Sequence, residues 1–243
     1  MESPELPSRE ALESALEGLA SGFVWRKEHE AGGILALEVA IGDSKIALSL
    51  IGEALEPKMY EDALEVSGLA PKEVEAIENH AAHARIVYLE EEEPVEAVLR
   101  MTLIYQIAAR LTQLGSIAIL APASGVFVLG LKPEFMDKPE DPEVPPLDLW
   151  VAVEKVSDDK ARSVGATQLN IPDVELDGIG ILGAEAIFST VMDMILYLRR
   201  IRRELVPGET VHIGRQPFKW FTMRSKDKKL IKLRRVELEE IDS

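Results

Sequence analysis

The sequence contains no cysteine, and that absence removes thiolate nucleophiles, disulfides, iron–sulfur clusters and cysteine-ligated zinc together. Histidine is scarce, with four in 243 residues, so an imidazole-based centre has little to draw on. Long apolar runs are missing as well. The longest, residues 117–122 and 125–131, fall far short of the ~20 residues a membrane-spanning helix needs, so no membrane association is expected. The first twenty residues lack the basic start of a secretory signal: they carry Glu2, Glu5, Glu10, Glu13 and Glu17 against Arg9 alone. That argues against export by this route and, with the missing cysteines, suits the cytoplasm.

What is present is an ordinary globular composition, 47% hydrophobic and 29% charged, too apolar for disorder and too charged for a membrane protein. A chain of this length buries a real core and suits one large domain or two halves. The net charge is −16, and it is segregated. Residues 199–235 hold thirteen Lys or Arg and three acids, a local +10, which leaves −26 on the other 206 residues. Such asymmetry speaks about docking and solubility rather than fold.

Ser8 is placed to cap a short amphipathic helix over residues 9–22 with Leu12, Ala15, Leu16 and Leu19 on one stripe, lying on a surface. Three Val/Ile/Leu-rich runs, 23–27, 34–41 and 45–51, read as strands, with Gly42-Asp43 as a tight turn. A helix starts at Pro71, a strand covers 84–89, and a long helix starts at Pro94, with Val98, Leu99, Ile104, Ile107, Leu111 and Leu114 inward and Gly115 as its stop. Residues 116–120 and 126–131 read as strands around a turn. Five prolines between 132 and 148 mark a linker loop. The second half repeats the plan: strands at 149–156 and 161–169, a long helix over 183–205 stopped by Pro207-Gly208, a strand near Val211, and a basic hairpin with arms 218–224 and 230–238. The fold class is therefore α/β in the α+β sense: two packed α/β sandwich halves, mostly antiparallel, each with one long amphipathic helix. The organisation is an N-terminal helix (1–22), a first half (23–131), the linker (132–148) and a second half (149–243), with duplication as the hypothesis behind the similarity.

The order of Asn79-His-Ala-Ala-His83, Ile117-Ala-Ile-Leu-Ala-Pro-Ala-Ser-Gly-Val126, Trp150-Val-Ala-Val153 and Val164-Gly-Ala-Thr-Gln-Leu169 running into Ile171-Pro-Asp-Val-Glu-Leu176 resembles a bacterial family. It is catalogued as a domain of unknown function, the one numbered forty-two sixty-one. The resemblance covers roughly residues 34–205 and rests on short, mostly structural motifs. It implies the α/β fold and brings no reaction, cofactor or catalytic residue. The acidic N-terminal helix and the basic hairpin fall outside it.

Candidate chemistry is thin. His80 and His83, three apart, would share a helix face and could hold a metal with a carboxylate such as Glu78, or simply cap a helix end. Ser124 reads as a turn residue rather than a nucleophile, since the first glycine of a nucleophile elbow is missing. Gly178, Gly180 and Gly183 have dinucleotide-loop spacing, but Asp173, Glu175 and Asp177 before them would repel a pyrophosphate. Those three acids alternate, so on an extended segment they share one face, read as the wet side of an edge strand. The acidic runs 90–93 and 137–143 lack calcium-loop spacing. The basic region carries most. Arg199, Arg200, Arg202 and Arg203 crowd a helix C-terminus, which the macrodipole favours. Lys219, Arg224, Lys226, Lys228, Lys229, Lys232, Arg234 and Arg235 decorate the hairpin among Phe218, Trp220 and Phe221. Cations among aromatics suit nucleic acid; cations in an acidic chain suit an acidic protein surface, including another copy's. The expectation is a non-enzymatic, cofactor-free cytoplasmic protein of accessory or immunity type that binds another protein or itself. The alternatives are an enzyme or small-ligand binder using His80, His83 and the acids at 173–177, and nucleic-acid binding through the hairpin.

Overall fold

The computed structural model describes residues 6–29, 33–89, 96–132, 146–213 and 218–237. The acidic runs 90–93 and 137–143, Pro94 and most of the proline-rich linker lie outside the described residues. The fold is α+β, and the chain divides into two compact units, Met1–Pro142 and Glu143–Ser243.

In the first unit, the Ser8 hydroxyl accepts the Ala11 N–H at 3.2 Å and so caps α1 (Arg9–Ala15). The helix turns one stripe inward through Leu12 and Ala15, with Leu16 buried just past its end, while Arg9, Glu10 and Ser14 are exposed. Strands β1 (Gly22–His29), β2 (Ile34–Ile41) and β3 (Ser44–Ile51) form a meander. Gly42 makes the β2–β3 turn at φ +57, where a Cβ would be strained. Two short helices follow, α2 (Glu61–Val66) and α3 (Pro71–Glu78), and then β4 (His83–Leu89) completes the antiparallel sheet in the order β1-β2-β3-β4. The long helix α4 (Ala97–Leu111) begins three residues after Pro94, because the Glu96 carboxylate accepts the Leu99 N–H at 3.0 Å and takes the cap. It buries Met101, Leu103, Tyr105, Ile107 and Leu111, while Leu99 faces out. One core joins α1 and α4 to the sheet through Leu12, Leu16, Leu37, Val39, Ile46, Leu48, Ile107 and Leu111. A smaller core joins α2 and α3 to a ribbon of β5 (Ala118–Ala121) and β6 (Val126–Leu129), around Tyr60, Leu64 and Ile77.

The second unit is a six-stranded sheet built from β7 (Ala152–Ser157), β8 (Lys160–Val164), β9 (Asp173–Asp177), β10 (Thr210–Val211), β11 (Phe218–Met223) and β12 (Leu230–Glu237), in the order β10-β11-β12-β9-β8-β7. The β9–β12 pair is parallel, which requires a crossover; α5 (Ala184–Ile201) lies within it and packs on β8 and β9. Val191, Met194 and Ile195 of α5 are buried, as are Val174, Leu176, Trp220 and Leu233 of the sheet. Two expectations change. Residues 173–177 form a central strand, not an edge, because β12 pairs with it on the side away from β8. The helix ends at Ile201, not at Pro207-Gly208: Arg202 adopts the left-handed conformation at φ 49 while its N–H bonds the Leu198 carbonyl. The pure meander of the first unit and the parallel-containing sheet of the second differ in strand order, so topology lends the duplication nothing.

Candidate functional site

The hairpin of β11 and β12 alternates. Phe218, Trp220 and Thr222 are buried, while Lys219, Phe221 and Met223 take the other face. Trp220 is 0% exposed and Phe218 is 4% exposed, their rings edge to face at 5.5 Å. This corrects the expectation that Trp220 contacts a partner: it is core. Arg235, paired across the strands with Trp220, sets its guanidinium 5.3 Å from the Phe218 ring centroid. Only Phe221, 39% exposed, remains as an aromatic on the surface of the hairpin arms.

The alternating acids of β9 do share a strand side, and each has its own partner. Glu175 holds Lys232 at 2.9 Å and Asp177 holds Lys160 at 3.1 Å. Asp173 accepts from the Ser163 hydroxyl at 2.9 Å and the Ala166 N–H at 3.0 Å. One strand further, Arg162 reaches Glu154 at 3.3 Å. Positive and negative side chains thus alternate from β12 to β7 and compensate one another. Lys232 therefore belongs to the sheet's internal charge ladder.

Most of the other described cations of this unit gather at one end of the sheet. Leu230 opens β12 opposite Asp173, the first residue of β9, and the Asp173 N–H donates to the Lys229 carbonyl at 2.8 Å. Met223 ends β11 opposite Lys232. α5 leaves from beyond the far end of β9, and the chain after it reaches the β11 end, where Gly208 and Glu209 exchange backbone hydrogen bonds with Thr222 at 2.9 and 2.8 Å. The topology therefore brings both basic segments, 199–203 and 224–229, to the same sheet end. Arg200, Arg202, Arg224, Lys226, Lys228 and Lys229 are exposed there, and Arg199 is half-buried. Arg203 is engaged: it grips the Glu209 carboxylate with both terminal nitrogens, which holds Glu209 below the usual carboxylate range and raises the guanidinium. On the strand faces, Arg234 is exposed and Lys219 is half-buried. The opposite end of the sheet carries Asp158, Asp159 and Glu185.

The other candidates resolve into structural roles. The His80 Nε2 accepts the Leu55 N–H at 2.7 Å, so its Nδ1 carries the proton and donates to the Ile77 carbonyl at 2.5 Å. Neither nitrogen is left for a metal. The His83 Nδ1 bonds the Glu53 carbonyl at 2.8 Å, and its Nε2 is buried without a hydrogen-bond partner among the described residues. Among those residues no group of three His, Asp or Glu side chains is placed to hold a metal ion. Ser124 is a turn residue whose hydroxyl accepts the Val126 N–H at 3.4 Å. The glycine loop does follow a strand and precede a helix, the arrangement of a phosphate loop. Asp159 already fills it: its carboxylate takes the Gly180 N–H at 2.8 Å, and its carbonyl takes those of Gly178 and Ile179. An anion there would meet a resident carboxylate.

One site had no advance notice. In the first unit, Pro57, Tyr60, Leu64, Leu69 and Val74 line an open cleft of about 610 Å³ with Glu61, Glu65 and Glu78 at it. Glu61 and Glu65 stand one turn apart on α2, and none of the three makes an ion pair with a described residue. The available signal was the i, i+4 repetition of like charge on a short helix, where it is unfavourable. No family model, no curated protein and no solved structure matches the chain.

Proposed function

We propose that this is a non-enzymatic protein-binding protein, of accessory or immunity type and acting in the cytoplasm, that docks the basic end of its second unit onto an acidic protein surface. Membership of the bacterial family it resembles is part of the same proposal. The observation that carries the reading is the contrast within one sheet. Lys160, Arg162 and Lys232 on the strands are matched by cross-strand acids, whereas the cations at 200–202 and 224–229 are exposed and share their end with few acids. Charge clustered this way steers encounter and fixes orientation. Arg202 adds to it: a non-glycine residue in the left-handed region is costly, and here an arginine occupies a helix terminus where glycine is the usual solution. An outlier of this kind points toward use.

Nucleic acid is the weaker reading, because the stacking platform that single strands use is reduced to Phe221 once Trp220 and Phe218 are in the core. The enzyme reading is the less supported alternative, since of its groups His80 and the acids of β9 are each engaged in local structural bonds and His83 alone has a ring nitrogen without a partner among the described residues. The test is capture from a lysate of the source cells on immobilised protein at low salt. An acidic protein released by salt from the parent, and not retained by K226E/K228E, is the expected result. Equal retention by parent and variant, or none by either, overturns the reading.

A further inference from the structure

The basic end and the acidic cleft are opposite in charge and belong to one chain. We infer that the partner surface includes a second copy of this protein, the 224–229 tip of one molecule entering the Glu61/Glu65/Glu78 cleft of another. This rests on the docking reading above and names its partner.

The tip is built to hold its shape. The Ser225 hydroxyl accepts the Asp227 N–H at 3.2 Å and donates to the Asp227 carbonyl at 2.9 Å, while the Asp227 carboxylate accepts the Lys229 N–H at 2.8 Å. Asp227, the single acid of the tip, is thus turned to its own backbone, and Arg224, Lys226, Lys228 and Lys229 project from a loop ordered in advance, which lowers the entropy lost on docking. The cleft answers in kind. Its carboxylates make no ion pair with a described residue, and Glu61 and Glu65 repel each other until a cation arrives. Its walls of Tyr60, Leu64, Leu69 and Val74 accept the aliphatic stems of lysine while the ammonium groups stay at the rim. The tip and the cleft are different patches, so a reciprocal exchange of tips closes a two-fold dimer and an unreciprocated one builds a ring or an open chain.

Analytical ultracentrifugation at low and high salt, across protein concentrations, tests this with two variants. K226E/K228E changes exposed loop residues. E65K/E78K places cations in the last turns of α2 and α3, where the helix dipole favours them, and thermal melts matching the parent confirm that it folds. Should it melt early, E65Q/E78Q takes its place and must weaken association. The expected result is parent association at low salt that is lost at high salt, each variant monomeric alone, and association regained when the two variants are mixed, because each still holds the half that the other has lost. A parent that stays monomeric at low salt, association that survives either variant, or a mixture that stays monomeric overturns the inference. Failure here with salt-released capture intact in the lysate experiment leaves the acidic-partner reading standing; failure of both removes both.

Discussion

Trp220 and Lys226 sit in one hairpin and do opposite work. Trp220 is wholly buried beside Phe218, so Trp220→Ala leaves a large cavity and is expected to cost about 3–5 kcal/mol in denaturant unfolding. Lys226 is exposed, so Lys226→Ala is expected to shift stability by less than about 0.5 kcal/mol while weakening salt-dependent partner capture. A tip variant that unfolded the protein, or a tryptophan variant that did not, would reverse these assignments. Glu209 offers a second reading at this scale. Its carboxyl is held below the ordinary 4.5 by Arg203 and by the Val206 N–H. A depressed folded value means the contact contributes above the unfolded pKa and is lost as pH falls through the folded one. An NMR carboxyl titration should place the Glu209 midpoint below 4.5, with Arg203→Gln returning it toward that value.

At the scale of elements, the C-terminus of α5 is the informative place. Arg202 stands at φ 49, a region that costs an L side chain about 1–2 kcal/mol and glycine little beyond its chain entropy of about 0.5–1 kcal/mol. Arg202→Gly is therefore expected to stabilise the protein by roughly 0.5–1 kcal/mol in denaturant unfolding while lowering affinity for the acidic partner, a split that a purely structural residue would not show. Periodicity foretold most elements here: the strands over 34–41 and 45–51, the Pro71 helix and the hairpin arms all form close to the expected bounds. The termini moved where a specific bond intervened, Glu96 taking the cap of α4 and Arg202 ending α5 ahead of Pro207. A two-residue period also divides Trp220 from Phe221 without saying which is inside. The inner face is the one Trp220 shares with Leu233 of β12 and with Val174 and Leu176 of β9, which strand register decides.

For the whole molecule, charge is the governing quantity. A net −16 with a +10 segment makes encounter with acidic partners depend on ionic strength, since exposed charges are screened beyond a Debye length of ~8 Å at physiological salt. Association rates measured by stopped flow or surface binding should fall steeply with added salt, with dissociation less affected. A rate indifferent to salt would remove electrostatic steering. The same charge vanishes near the pI of about 4.8, where turbidity should pass through a maximum.

By itself the sequence determined what chemistry is closed to this chain and where its charge lies, because composition and position along the chain are independent of folding. It determined most helices and strands too, because local periodicity follows from backbone geometry. Tertiary structure alone decided which cations remain available. Lys232, Lys160 and Arg162 are matched by acids on neighbouring strands, some far away in sequence, whereas Arg202, Arg224, Lys226, Lys228 and Lys229 meet at one sheet end because a parallel crossover carries both segments there. Pairing depends on register, and between β9 and β12, which no tight turn joins, register is decided by the fold as a whole.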